Sequence, residues 1–301
     1  MRRILPKLIF ILIFLTGFSV MMYPTVSNWV NERNSSGAVA NYEQQIEALP
    51  EADYSALWEA ARAYNQNLEQ FHSISEAVLA ERADDSGLYE SLLSVNGSRV
   101  MGVLQIPKIK VSLPIYHSTE ESVLQIAIGH YEGSSLPIGG ASTHSVLSGH
   151  RGLPSATLLT DLDQMEPGDR FYVTVLKEIL AYEVDDIEIV LPEQVESLSI
   201  REGEDLITLV TCTPYGINSH RLLVTGHRIP YDGAMEASNP QINTNQQHSN
   251  PAADDERPLP IYVYMGIAVV ASGVLGLVTR TVGDYRRKKK KRKKSKEEHD
   301  T

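Results

Sequence analysis

Cys212 is the only cysteine in the chain, and its surroundings are those of a reactive thiol. Ile207-Thr208-Leu209-Val210 reads as a buried strand running into it. Thr213-Pro214-Tyr215-Gly216 carries turn residues, so the thiol sits at a strand end facing a loop. Leu222-Leu223-Val224-Thr225 reads as a second strand that starts beside Arg221. Pairing of the two strands across the loop brings the guanidinium close to the sulfur. The thiolate is the nucleophilic form, and a neighbouring cation favours it. The alternative reading of a lone cysteine is a small buried hydrophobe. A strand end followed by polar turn residues is a poor match to that role, and an unpaired cysteine in an exported chain is flagged as reactive.

A thiol needs a proton carrier. Ser148-Gly149-His150-Arg151-Gly152 follows a strand-like run and is bounded by glycines. His144 lies six residues earlier, and in a continuous strand the two histidines point the same way, so spacing does not choose between them. His220 and His227 flank the arginine strand and are weaker candidates. No Cys/His/Asp cluster has metal-ligand spacing, so no metal is expected, and nucleophilic chemistry by a thiol needs no organic cofactor.

The run Thr208-Leu209-Val210-Thr211-Cys212 resembles the Thr-Leu-x-Thr-Cys signature of sortases, and Arg221 stands where that family keeps its essential arginine. The unbroken block from Cys212 to Arg228 is most similar to class C, the pilin-polymerising sortases. The resemblance selects His150 over His144, since Gly149-His150-Arg151-Gly152 matches the motif of the catalytic histidine. It implies an eight-stranded β-barrel and a cysteine transpeptidase with Cys212, His150 and Arg221 as its catalytic residues. It further implies cleavage of a Leu-Pro-x-Thr-Gly-type sorting signal through a Cys thioester, and transfer to a lysine amine of a pilin. Anchoring of surface proteins to a cell-wall peptide amine is the enzymatic alternative. A non-catalytic peptide-binding factor for pilus assembly is the alternative from another class.

The rest of the chain is read as what positions these groups. Short apolar runs alternate with turns at 101–106, 111–115, 145–147, 171–175, 181–190, 207–210 and 222–225. That texture suggests a closed or sandwiched β domain over residues 100–232, interrupted by short helices near 120–128 and 156–162. Residues 25–72 have helix-like apolar spacing, broken near Pro50, and read as a helical stalk that can pack against the next domain. Class C sortases often place a lid, keyed by an Asp-Pro-aromatic motif, where residues 73–99 fall. That motif is absent; Asp84, Asp85 and Tyr89 are candidate stand-ins, and a plain linker is the alternative.

Both ends read as membrane segments. Residues 1–24 combine an early basic cluster with an almost wholly apolar run, and no small-x-small cleavage site follows, which favours a retained anchor. Residues 233–260 are rich in Asn, Gln, Ser, Pro and Asp and read as a flexible tether. Residues 261–279 are uncharged and long enough to span a bilayer. The tail, 280–301, contains an unbroken basic run from Arg286 to Lys294, expected at a cytoplasmic surface against anionic lipid. Both termini are then cytoplasmic and the middle lies outside. Net charge is −11, but three of the 27 basic residues lie in the first seven positions and eleven from Arg280 onward. The middle is therefore strongly acidic, which disfavours nucleic acid as its partner.

Overall fold

A computed structural model of the chain describes residues 5–68, 70–71, 73–83 and 87–233, with Gly276, Thr279, Arg280 and Gly283 beyond them. Asp84 and Asp85, the tether from residue 234, most of the second apolar segment and nearly all of the basic tail lie outside the described residues. The chain divides into two units, residues 1–26 with 256–301, and residues 27–255.

In the first unit the described N-terminal residues are the apolar half of helix α1 (Leu5–Glu47), which is long and apolar enough to cross a membrane. The remainder of α1 belongs to the second unit.

The second unit is built on eight strands: β1 (Val100–Ile106), β2 (Val111–Tyr116), β3 (Ile128–His130), β4 (Thr143–Ser148), β5 (Arg170–Val175), β6 (Glu178–Val190), β7 (Asp205–Thr213) and β8 (His220–Ile229). They close into a barrel in the order β1-β2-β3-β4-β7-β8-β6-β5. Closure gives each strand a neighbour on both sides. Two pairings, β2 with β3 and β4 with β7, are parallel. Leu104, Ile115, Leu147, Phe171, Val173, Ile207, Leu209 and Val224 are fully buried in the core.

Seven strands occupy the seven apolar runs. The eighth, β3, forms inside the stretch expected to be helical over 120–128. There the helix is one turn, α5 (Glu121–Leu124), because Ile128–His130 instead extends between β2 and β4. The helix expected over 156–162 is not formed. Leu158 has φ of 42°, a left-handed conformation that an α-helix excludes, and only a 3-10 turn follows at Leu162–Gln164.

The second half of α1 and helix α2 (Glu51–Leu68) lie on the barrel. Tyr42 is 1% exposed; its hydroxyl donates to the Met101 carbonyl (2.9 Å) and accepts from the Leu176 N–H (2.9 Å). On α2, Trp58, Ala61, Asn65 and Leu68 are buried, a helix-face spacing. The Asn65 amide bridges both backbone groups of Leu136, donating to its carbonyl (3.1 Å) and accepting from its N–H (2.8 Å). The second half of α1 and helix α2 therefore hold the barrel directly.

The segment 73–99 carries helices α3 (Ile74–Ala83) and α4 (Leu88–Ser91). Ile74 packs with Val146, Leu198 and Leu223. Tyr89, named above as a candidate stand-in for the lid motif, is buried against the barrel. Its hydroxyl meets Nδ1 of His130 (2.9 Å) and accepts from the Ser118 N–H (3.0 Å), and its ring lies edge-on to His117.

Candidate active site

The two strands that carry the thiol and the guanidinium are antiparallel neighbours, and their register sets Cys212 directly opposite Arg221. Directly opposed residues project from the same face of a sheet, with Cβ atoms about 4.5–5.5 Å apart. Cys212 is free and partly exposed. Nη1 of Arg221 donates to the carbonyls of His220 (3.2 Å) and Asn218 (3.3 Å), which folds its guanidinium against its own loop. The guanidinium has five N–H donors in all.

His150 reaches the same end of the barrel from β4. The parallel register pairs Ser148 with Val210, and the Gly149 N–H continues it onto the Val210 carbonyl (3.0 Å). The Thr211 hydroxyl donates to the Gly149 carbonyl (2.7 Å). Two residues past Ser148 on one strand and past Val210 on the other stand His150 and Cys212. The flanking glycines have steric reasons. A Cβ on Gly149 would come within 2.9 Å of Leu159, and Gly152 has φ of 76° with the Tyr215 ring 3.0 Å from where its Cβ would be.

His144 lies elsewhere. It pairs with Leu206, six residues before Cys212, roughly 20 Å down the strand. It is 0% exposed, with Nδ1 on the Ser199 carbonyl (2.9 Å) and Nε2 on the Thr208 hydroxyl (2.7 Å). Burial holds it below the usual histidine range. His227 lies at the same level, also paired with Leu206, and meets Asp185 (3.1 Å). His220 pairs with Thr213 beside the site, and its Nδ1 meets the Ser219 hydroxyl (2.9 Å).

Three further residues, to which the sequence analysis gave no role, also lie here. Nε2 of His150 lies 3.3 Å from Oε2 of Glu121 on α5. The Glu121 carboxyl is held below the usual carboxylate range by the Gln125 hydrogen bond first, then by His150. Arg151 has a side chain only 8% exposed, donates to the Thr213 hydroxyl (3.3 Å), pairs with Asp163 and lies under the Tyr215 ring. It ties the chain on both sides of the site together. Thr211 joins β7 to the end of β4 as described. A groove of about 900 Å³ between α2 and the barrel, lined by Trp58, Arg62, Asp205 and Arg228, lies at the other end of β7. Seven strand residues, roughly 23 Å, separate Asp205 from Cys212, so the groove is not the site of thiol chemistry.

The arrangement brings a thiol, a guanidinium and an imidazole to one barrel end. Comparison with known proteins gives it a family. The Sortase domain model matches residues 104–229. The structure is similar to sortase C1 of Streptococcus agalactiae, with 47% identity, coverage of 65% of this chain and 99% of that one, and a TM-score of 0.59. The chain is a sortase. It is also similar to sortase C-1 of Actinomyces oris, 46% identical over 59% of this chain and 99% of that one, with a TM-score of 0.53. Among curated proteins, sortase D of Bacillus subtilis (strain 168) is 26% identical over 157 residues, 51% of this chain and 76% of that protein. The sortase is most like class C, and it is a cysteine transpeptidase.

Proposed function

We propose that this sortase joins pilin subunits, with Cys212, His150 and Arg221 as its catalytic residues. The observation that carries the reading is the convergence of β4, β7 and β8 on one end of the barrel. There Arg221 stands opposite Cys212, and the β4 register leads to His150. The Cys212 thiolate attacks the threonine carbonyl of a Leu-Pro-x-Thr-Gly-type signal, forming the S–C bond of a tetrahedral intermediate. Arg221 and a backbone N–H near Thr213 stabilise its oxyanion. The Thr–Gly C–N bond breaks as His150 gives its proton to the departing glycine amine. A pilin lysine amine then attacks the thioester, His150 takes the amine's proton, and an isopeptide bond forms as the thiolate leaves. The similarity to class C sortases supports a lysine acceptor over a wall-peptide amine.

The reading extends to topology. The apolar half of α1 holds the chain in the membrane, and the uncharged stretch 261–279 with its basic tail adds a second crossing. The barrel, residues 100–232, is then outside, the tether 233–260 leads back to the bilayer, and both termini are cytoplasmic.

Intact-mass measurement of the enzyme mixed with a Leu-Pro-x-Thr-Gly peptide tests the first half-reaction. A Cys212 acyl adduct is expected, and its absence under turnover rejects the thioester. Offering that adduct a lysine-bearing pilin domain or a wall-peptide amine tests the second. Faster resolution by the wall amine overturns pilin joining.

A further inference from the structure

The Glu121–His150 contact has a consequence for the reaction, on the reading that His150 is its proton carrier. A carboxylate only accepts, so the ring nitrogen facing it is the one that bears hydrogen. In His150 that nitrogen is Nε2, 3.3 Å from Oε2 of Glu121. The other ring nitrogen, Nδ1, is left for the reacting groups. The acid is itself aimed. Its Oε1 accepts from Nε2 of Gln125 (3.0 Å), one turn along α5, which turns Oε2 toward the imidazole. The end of α5 is held from α1, where Asn31 (3.3 Å) and Ser35 (3.4 Å) both donate to the Ile126 carbonyl. The ring's own backbone is fixed separately, as the His150 carbonyl accepts from the Leu159 N–H (3.2 Å).

The ordinary alternative is an exposed surface acid that happens to lie near a histidine. Glu121 is indeed 67% exposed at its side chain, but the histidine it meets is only 24% exposed. The contact also joins two segments 29 residues apart, each tied down by further hydrogen bonds.

We propose that Glu121 is a positioning residue for transpeptidation: its carboxylate accepts from Nε2–H of His150, which fixes the ring so that Nδ1 exchanges protons with the leaving and incoming amines. Each transfer balances at one atom. Nδ1–H gives its proton to the departing amine as the Thr–Gly bond breaks, and Nδ1 recovers a proton from the attacking amine as the new amide forms. Glu121 stays ionised throughout.

The test uses the full chain in detergent, with the His150 ring labelled with 15N, as wild type, Glu121→Ala and Glu121→Gln. With the imidazole neutral, wild type should show one tautomer, with Nε2 protonated and Nδ1 bare. Glu121→Ala should show a mixture, with kcat lower by about ten- to a hundredfold and KM unchanged, as a misplaced catalytic group produces. Glu121→Gln keeps an acceptor oxygen and should restore both the single tautomer and most of kcat. Adding Glu121→Ala to His150→Ala should cost nothing further. Unchanged tautomers or unchanged kcat in Glu121→Ala overturns the proposal, as does failure of glutamine to rescue or a full further loss in the double variant. Full activity of His150→Ala alone would instead reject the reading of the site on which the proposal rests.

Discussion

Cys212 and Arg221 face each other across two adjacent antiparallel strands, nine residues apart in the chain and directly paired in the sheet. The loop between them is short, and the pairing sets the two side chains on the same face of the sheet. Lysine in place of Arg221 would keep the charge but not the planar fork of donors. Arg221→Lys is expected to lower kcat by about 10²–10³-fold, the range for losing an oxyanion donor. Steady-state kinetics with a sorting-signal peptide checks it; wild-type kcat would remove Arg221 from the transition state.

Cys212→Ala should abolish cleavage while leaving the fold intact. The side chain is only partly buried and makes no disulfide, so its loss leaves no large cavity. Thermal unfolding near the wild-type temperature, with no acyl adduct by mass, is the expected pair of results. Residual transpeptidation by the pure variant would refute the nucleophile.

The histidines should separate by kind of defect. His150→Ala is expected to cost about 10²–10⁴-fold in kcat/KM with little change in stability. His144→Ala should do the reverse, because it leaves the Ser199 carbonyl and the Thr208 hydroxyl short of a buried partner, at about 1–3 kcal/mol. Denaturant midpoints and peptide kinetics on both variants decide it, and the opposite ranking would assign the chemistry to His144.

Acid should destabilise the barrel through its buried histidines. Burial lowers His117, His130 and His144 from the usual range, His130 to about 4. An unfolded histidine titrates near about 6.5, so the unfolded chain binds more protons below that pH. Stability from keeping these rings neutral is complete above about pH 7.5. It falls as pH drops through 6.5, and the His130 part stops falling below about 4. For His130 the span is about 3 kcal/mol. Urea unfolding at pH 7.5 and 4.5 should show a smaller pH effect in His130→Gln than in wild type. Equal slopes would contradict the assignment.

Tyr42→Phe tests whether α1 is part of the barrel's stability. It leaves the Met101 carbonyl and the Leu176 N–H without their hydroxyl partner in a buried place, an expected cost of about 1–3 kcal/mol. A variant as stable as wild type to urea would mean that the helix contributes little there.

The sequence by itself determined what is local. A thiol at a strand end, an arginine across a short loop and seven of eight strands all follow from side-chain period and turn residues over a few positions. What depended on distant pairing was decided only by the tertiary structure. Three-residue β3 has no periodicity to read and exists because β2 and β4 close on it. The expected helix at 156–162 gave way to packing that buries Ala156, Leu158, Leu159 and Leu162 on a non-helical path. Parity along one strand left His144 and His150 equivalent, although the motif favoured His150. The parallel register of β4 on β7 separates them, sending one into the wall and leading the other toward the thiol. Glu121 had no legible signal, since nothing in a chain ties residue 121 to residue 150 until a closed barrel brings α5 against the end of β4. Side-chain pattern encodes which face of a strand is buried, but contacts across the barrel depend on strand order and register, which the closed sheet sets as a whole.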